Sequence, residues 1–291
     1  MTLLICGANG QVGSELAARC QHGDIALDRM ALDITQPDAI AAALDRHQPR
    51  VLINAAAYTA VDRAEQEPKL AHAINGEAVA HLARACAQRD ISLLHLSTDY
   101  VFDGSGTAPY AEDATANPLG VYGASKWAGE QALRQHCPRH LILRVSWVFG
   151  QHGNNFVKTM LRLGAERPAL RVVSDQVGGP TAAADIAATL MQLARRITAG
   201  ESLPWGTWHF AGQPFVSWHG FAEAIFAQAV TCGVLARAPE VAAITAAEFP
   251  TLAQRPAQSG LSMTATTAAL GLQPPDWRVA LNALLQQRQS E

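Results

Sequence analysis

The chain has 291 residues, 49% of them apolar and 16% charged, a balance that supports a large buried core and excludes a disordered chain. Its formal charge of -3, from 25 acidic and 22 basic residues spread along the sequence, offers no basic field for a polyphosphate backbone, so nucleic acid is not an expected partner. The five cysteines lie far apart without zinc-type spacing, no run approaches ~18 apolar residues and no basic leader precedes Leu3, which together read as a cytoplasmic protein without membrane contact or metal.

In chain order, short apolar runs alternate with stretches rich in good helix formers. Strands are predicted at Leu3–Cys6, Ile25–Leu27, Val51–Asn54, Ser92–Leu96, Leu141–Val145, Arg171–Val173 and Trp208–Ala211. Helices over 13–20, 37–47, 69–88 and 123–136 separate the first five of these strands. This order predicts an α/β fold, a Rossmann-type doubly wound parallel sheet with helices on both faces. After about residue 150 the texture changes: Gly, Pro and Trp become frequent, and helices at 154–166, 183–199 and 218–230 are separated by irregular segments. Residues 1–150 are therefore expected to form a dinucleotide-binding domain, with strands near 171–174 and 207–211 returning to its sheet, and 151–291 mainly a smaller, loop-rich substrate lobe.

The first predicted strand runs into Gly7-Ala8-Asn9-Gly10-Gln11-Val12-Gly13, and a helix follows directly. The first glycine permits the tight turn, the second lets backbone approach a pyrophosphate, and the third allows close packing of helix on strand, while the helix N-terminus attracts phosphate charge. The spacing is GxxGxxG rather than GxGxxG. The second strand leads to Asp28, placed to bond the adenosine ribose hydroxyls as in NADH, and to Arg29, placed to face the 2′-phosphate of NADPH, so both cofactors stay open. The third strand ends in Asn54-Ala55-Ala56-Ala57, small residues over which a cofactor can lie flat.

Further along, Tyr122 and Lys126 are four apart at the start of a helix and so share one face. A carbonyl reduction needs a hydride from one side and a proton from the other, and a phenol with an ordinary pKa near 10 handles protons poorly at neutral pH. The nearby ammonium, together with an oxidised nicotinamide in a partly dry cleft, is expected to lower it; a fall of about three pH units corresponds to on the order of 4 kcal/mol of interaction with the phenolate. The fourth strand supplies hydroxyls at its carboxyl end, Ser97 and Thr98, with Thr98 the candidate to orient a substrate carbonyl. Glycine loop, strand-end hydroxyl and YxxxK in that order point to an oxidoreductase.

These residues resemble the extended short-chain dehydrogenase/reductase superfamily and, within it, the dTDP-4-dehydrorhamnose reductase group. The resemblance covers nearly the whole chain, through NAAAYTAVDRAE at 54–65, STDYVFDG at 97–104, NPLGVYGASKWAGE at 117–130, RVSWVFG at 144–150, NNFVKTML at 154–161, DQVGGPT at 175–181 and RPAQSGL at 255–261. It implies NAD(P)H-dependent reduction of dTDP-4-dehydro-L-rhamnose to dTDP-L-rhamnose, with Tyr122, Lys126 and Thr98 as the catalytic set. It also implies dinucleotide contacts from Gln11, Val12, Asp28, Asp33, Ile34 and Ala55 to Ala57, and a substrate side formed by Asp99, Trp147, Asn155 and, at the diphosphate, Arg255. Asp99 is followed by Tyr100, so the acidic pair of related sugar dehydratases is missing. Glu15 matches a residue linked to magnesium at a dimer contact in some members, but Ala184 stands where its partner carboxylate is expected, so a monomer or weak homodimer without metal is anticipated. Two alternatives stay open: a nucleotide-sugar 4-ketoreductase of different stereochemistry, and a non-catalytic regulatory homologue, against which the retention of both Tyr122 and Lys126 argues.

Overall fold

The structure, a computed structural model, describes residues 2–289. A six-stranded sheet runs in the order Gly206–His209, His140–Val145, Ser92–Thr98, Val51–Asn54, Leu3–Cys6, Ile25–Leu27, with every pairing parallel. Three of the four inner strands are buried along their whole length and Ser92–Thr98 at every residue but Leu96, which is why they read as continuous apolar runs rather than alternating ones. One face packs on the helices Gln11–Ala18 and Ala183–Thr198, through residues such as Leu16, Ile186 and Leu190. The other is covered by Pro37–His47 and Ala78–Gln88, through Ile40, Leu44, Val79 and Leu82. A second core unites Phe156–Glu166, Trp218–Thr231 and Trp277–Gln289 around Val157, Leu161, Phe221, Phe226 and Leu285.

Three expectations are corrected. The strand predicted near 171–174 does not return to the main sheet: Ala169–Val173 pairs in parallel with Glu240–Ile244 in a separate two-stranded sheet. Leu170 and Val172 are buried while Ala169 and Arg171 are exposed, and a strand with one wet face cannot sit inside a sheet covered on both sides. The helix Ala183–Thr198, placed by sequence in the substrate half, packs instead on the main sheet. Finally, the single helix expected over 69–88 is interrupted by a π-helical turn at Ala73–Glu77. That turn carries the buried Asn75, whose amide bonds the backbone of Tyr58 in both directions (2.8 and 2.9 Å) and the hydroxyl of Ser125 (3.0 Å). Among the described residues no helix is long and apolar enough to cross a membrane.

Candidate active site

The carboxyl ends of the strands carry two clefts. The narrower, about 200 Å³, is lined by Gly7, Asn9, Gly10, Arg29, Asp33, Ile34 and the Ala55–Ala57 turn, with Leu32, Thr35 and Ile74 completing it. Gly7 has φ +83°, and both Gly7 N and Ala8 N donate to Leu27 O, which curls the loop against the second strand. A Cβ on Gly7 would lie 2.6 Å from Ala56 N, and one on Gly13 would lie 1.9 Å from Gly7 O. The cradle thus exists only because these positions lack side chains, and it fits a pyrophosphate against a helix N-terminus. Gln11, Val12 and Gly13 begin the helix behind the cleft: Val12 and Gly13 are buried, and Gln11 accepts a bond from Asn155 Nδ2 at 3.0 Å. Each Asp28 oxygen accepts one bond, from Asn9 Nδ2 (2.9 Å) and Ala31 N (2.9 Å), whereas Arg29 lines the cleft.

Beside it stands the proton-handling set. Val121–His136 starts after Gly120, with Glu65 Oε1 accepting the orphan amide of Val121 at 2.8 Å, so Tyr122 and Lys126 fall in the first turns. Thr98 ends the central strand next to the one carrying Ala55–Ala57, and its hydroxyl donates to Asp99 Oδ1 at 2.9 Å. The Lys126 ammonium, 2% exposed, is held by Leu96 O (2.6 Å) and lies 3.3 Å from His95 Nε2. Burial brings it down to about 8, Glu130 opposing. His95, which sequence reasoning passed over, is fully buried, is kept neutral by that burial and by Lys126, and faces Asn54 Nδ2 at 3.0 Å through Nδ1. In the protein alone, burial pushes the Tyr122 phenol up, Asp99 and Tyr100 add to the rise, and Thr98 works against it.

A buried network fixes these elements to one another. Glu130, on the Tyr122 helix, accepts Ser97 Oγ (2.6 Å) and a bidentate pair from Arg144 (2.9 and 2.7 Å), and Arg134 joins at 2.7 Å. Burial opposes ionisation of Glu130, but Arg144, Ser97 and Arg134 outweigh it and hold its carboxyl low.

The larger cleft, about 1380 Å³, is lined by Tyr100, Phe156, Gln176, Trp218, Phe249 and Arg255 among others. Arg255 reaches it while paired with Asp62 at 2.7 Å. Trp147 does not line the cleft itself; it has φ +46°, stacks on the lining Trp218 with ring centroids 3.4 Å apart, and donates Nε1–H to Ser259 Oγ at 3.1 Å, two partners that hold an uncommon backbone conformation. Asp99 is 2% exposed; burial pushes its carboxyl up to about 7, with Thr98 and Ser259 opposing. Asn155 is placed differently from the other substrate-side candidates: its amide caps Phe156–Glu166 at Lys158 N (3.1 Å) and donates to Gly150 O (2.8 Å) and Gln11. Glu15 pairs with Arg19 at 2.5 Å, and no metal-ligating cluster occurs among the described residues.

Comparison with known proteins matches residues 1–290 to the model of a family described as the RmlD substrate binding domain. The chain is 50% identical over 283 residues to the dTDP-4-dehydrorhamnose reductase of Aggregatibacter actinomycetemcomitans, covering 96% of each. It is 40% identical to the enzyme of the same name from Shigella flexneri, covering 98% of this chain and 97% of that one. Among solved structures, the dTDP-4-dehydrorhamnose reductase of Bacillus anthracis in complex with NADP is similar with a TM-score of 0.90 at 35% identity, over 98% of this chain and 99% of that one.

Proposed function

The chain belongs to the RmlD substrate binding domain family, and on that premise we propose that it reduces the 4-keto group of dTDP-4-dehydro-L-rhamnose to give dTDP-L-rhamnose, using NADPH or NADH. The observation that carries this reading is the start of the Val121–His136 helix, bearing Tyr122 and Lys126, set at the carboxyl end of the central strand that closes in Thr98, with Lys126 Nζ held 2.6 Å from Leu96 O, beside a cleft whose floor is backbone and glycine. When bound, the nicotinamide supplies the hydride. Tyr122, kept protonated by burial, gives its proton to the developing alkoxide; the Thr98 hydroxyl fixes the reacting oxygen. Lys126 places positive charge one turn along the same helix, which favours the phenolate left behind. Asp99, Trp147 and Arg255 hold the sugar and its diphosphate. Arg29 in the cleft, beside an Asp28 whose oxygens are already bonded, supports NADPH ahead of NADH.

The test is oxidation of NADPH by the purified protein with dTDP-4-dehydrorhamnose, the product identified by NMR. Wild type is expected to turn over and form dTDP-L-rhamnose, and Tyr122→Phe to lose about 10³-fold in kcat with dinucleotide affinity intact. Absence of oxidation by wild type would overturn the function, and full activity of Tyr122→Phe would overturn the assignment of the acid.

A further inference from the structure

We propose that Asp62 is a positioning residue for the substrate: its carboxylate holds the Arg255 guanidinium at the angle from which it takes the diphosphate of the sugar nucleotide. The proposal rests on the reading of Arg255 as the diphosphate contact and adds what aims it. Three cations line the large cleft, Arg167, Arg171 and Arg255. Arg167 and Arg171 are exposed, whereas the Arg255 side chain is 24% exposed and shares the cleft wall with Tyr100, which directly follows Thr98 and Asp99. A diphosphate joined to a sugar at Thr98 and Asp99 meets Arg255 before the other two.

Asp62 sits on the short helix Val61–Ala64, just beyond the Ala55–Ala57 turn of the dinucleotide cleft. Its Oδ1 accepts Ala253 N at 3.1 Å and Arg255 Nη1 at 3.2 Å, and its Oδ2 accepts Arg255 Nη2 at 2.7 Å. Nη1 also donates to Ala253 O at 3.3 Å. Asp62 and Ala253 thus occupy the Nη1 end of the planar fork and leave the edge that carries Nε–H, where two parallel N–H bonds match two oxygens of a phosphate. The chain after Arg255 is fixed by its own backbone: a Cβ on Gly104 would lie 2.5 Å from Ala257 N, and Gln258 N donates to Gly104 O at 3.2 Å. The chain before it carries Phe249 and Leu252, 57% and 65% exposed, and Asp62 ties this stretch to the dinucleotide half through Ala253 and Arg255. A part-exposed ion pair adds little to folding. What it removes is the freedom of a long side chain, a cost otherwise met when substrate binds. Asp62 also offsets charge on Arg255, but at a solvent-facing site its repulsion of the diphosphate is screened, and the ordering of Arg255 outweighs it.

The experiment is calorimetric titration of NADPH-loaded protein with dTDP, beside steady-state kinetics with dTDP-4-dehydrorhamnose. Asp62→Ala is expected to bind dTDP about tenfold more weakly, the cost of ordering one rotamer-rich side chain on binding, with NADPH affinity unchanged. KM should rise by the same factor while kcat stays within about twofold, because the lost contact serves ground state and transition state alike. Asp62→Asn keeps an oxygen for Ala253 N and Arg255 and should recover part of the loss. In an Arg255→Ala background, Asp62→Ala should have no further effect on dTDP affinity. Tighter binding by Asp62→Ala would mean that Asp62 masks the charge of Arg255, and unchanged binding that it does not aim it; either result overturns the proposal. An equal loss in the Arg255→Ala background would overturn it too, by showing that Asp62 acts through the backbone at Ala253. The premise fails separately: full dTDP affinity in Arg255→Ala alone would remove that residue from the diphosphate, and binding is read without any turnover.

Discussion

The two clefts are built by different means. The narrow one is made of backbone, from glycines whose missing Cβ atoms define its floor and from the Ala55–Ala57 turn. The large one is made of side chains brought from distant parts of the sequence, Tyr100, Trp218, Phe249 and Arg255 among them. A backbone cradle is vulnerable to added atoms, whereas a side-chain site is vulnerable to lost partners and to titration.

That contrast can be attacked from both sides, beginning where the effect is largest. Arg144→Met removes the partner of a Glu130 that is 0% exposed, and should destabilise the fold by about 3–5 kcal/mol in urea unfolding. Asp99 titrates oppositely to an ordinary carboxylate. The folded chain holds its proton up to about 7 while the unfolded chain releases it near 3.8, so its stabilising contribution is present below that lower value and is lost as pH rises to about 7. Urea titrations should therefore show Asp99→Asn gaining on wild type by up to the order of 4 kcal/mol between acid and pH 8. On the backbone side, Gly13→Val drives a side chain into Gly7 O and should weaken dinucleotide binding by on the order of 100-fold, read by calorimetry; unchanged affinity would mean the cradle is not made by missing atoms. The smallest expected change is a fall of about tenfold in the NADPH-to-NADH ratio of kcat/KM for Arg29→Ala.

Legibility in the sequence follows the same division. The glycine loop could be read because its geometry is local, three glycines and a helix start within one turn, and Tyr122 and Lys126 because four residues make one helical turn. The parallel sheet was legible from its uninterrupted apolar strands, yet Ala169–Val173 was misassigned because three or four residues do not reveal which neighbour they pair with. Asp62 with Arg255, and Trp147 with Ser259, join residues 193 and 112 positions apart, and no periodicity marks such pairs. His95 was hidden differently. It sits inside an apolar strand, where its ring is engaged by Asn54 from the neighbouring strand and Lys126 from the helix above, partners that no local pattern announces. The break at Asn75 was invisible because a π-turn changes no local propensity; it is imposed by the amide's partners at Tyr58 and Ser125.

The Ser97–Glu130–Arg144 network joins the strand that ends in Thr98, the helix that carries Tyr122 and Lys126, and the strand that leads to Trp147. None of these three elements can loosen without stretching the bonds that hold a buried, ionised carboxylate. Activity and fold should consequently melt as one event: in a thermal ramp followed by hydrogen exchange, the amides of these segments open together, with no lower-temperature step in which the catalytic groups drift apart inside an intact sheet.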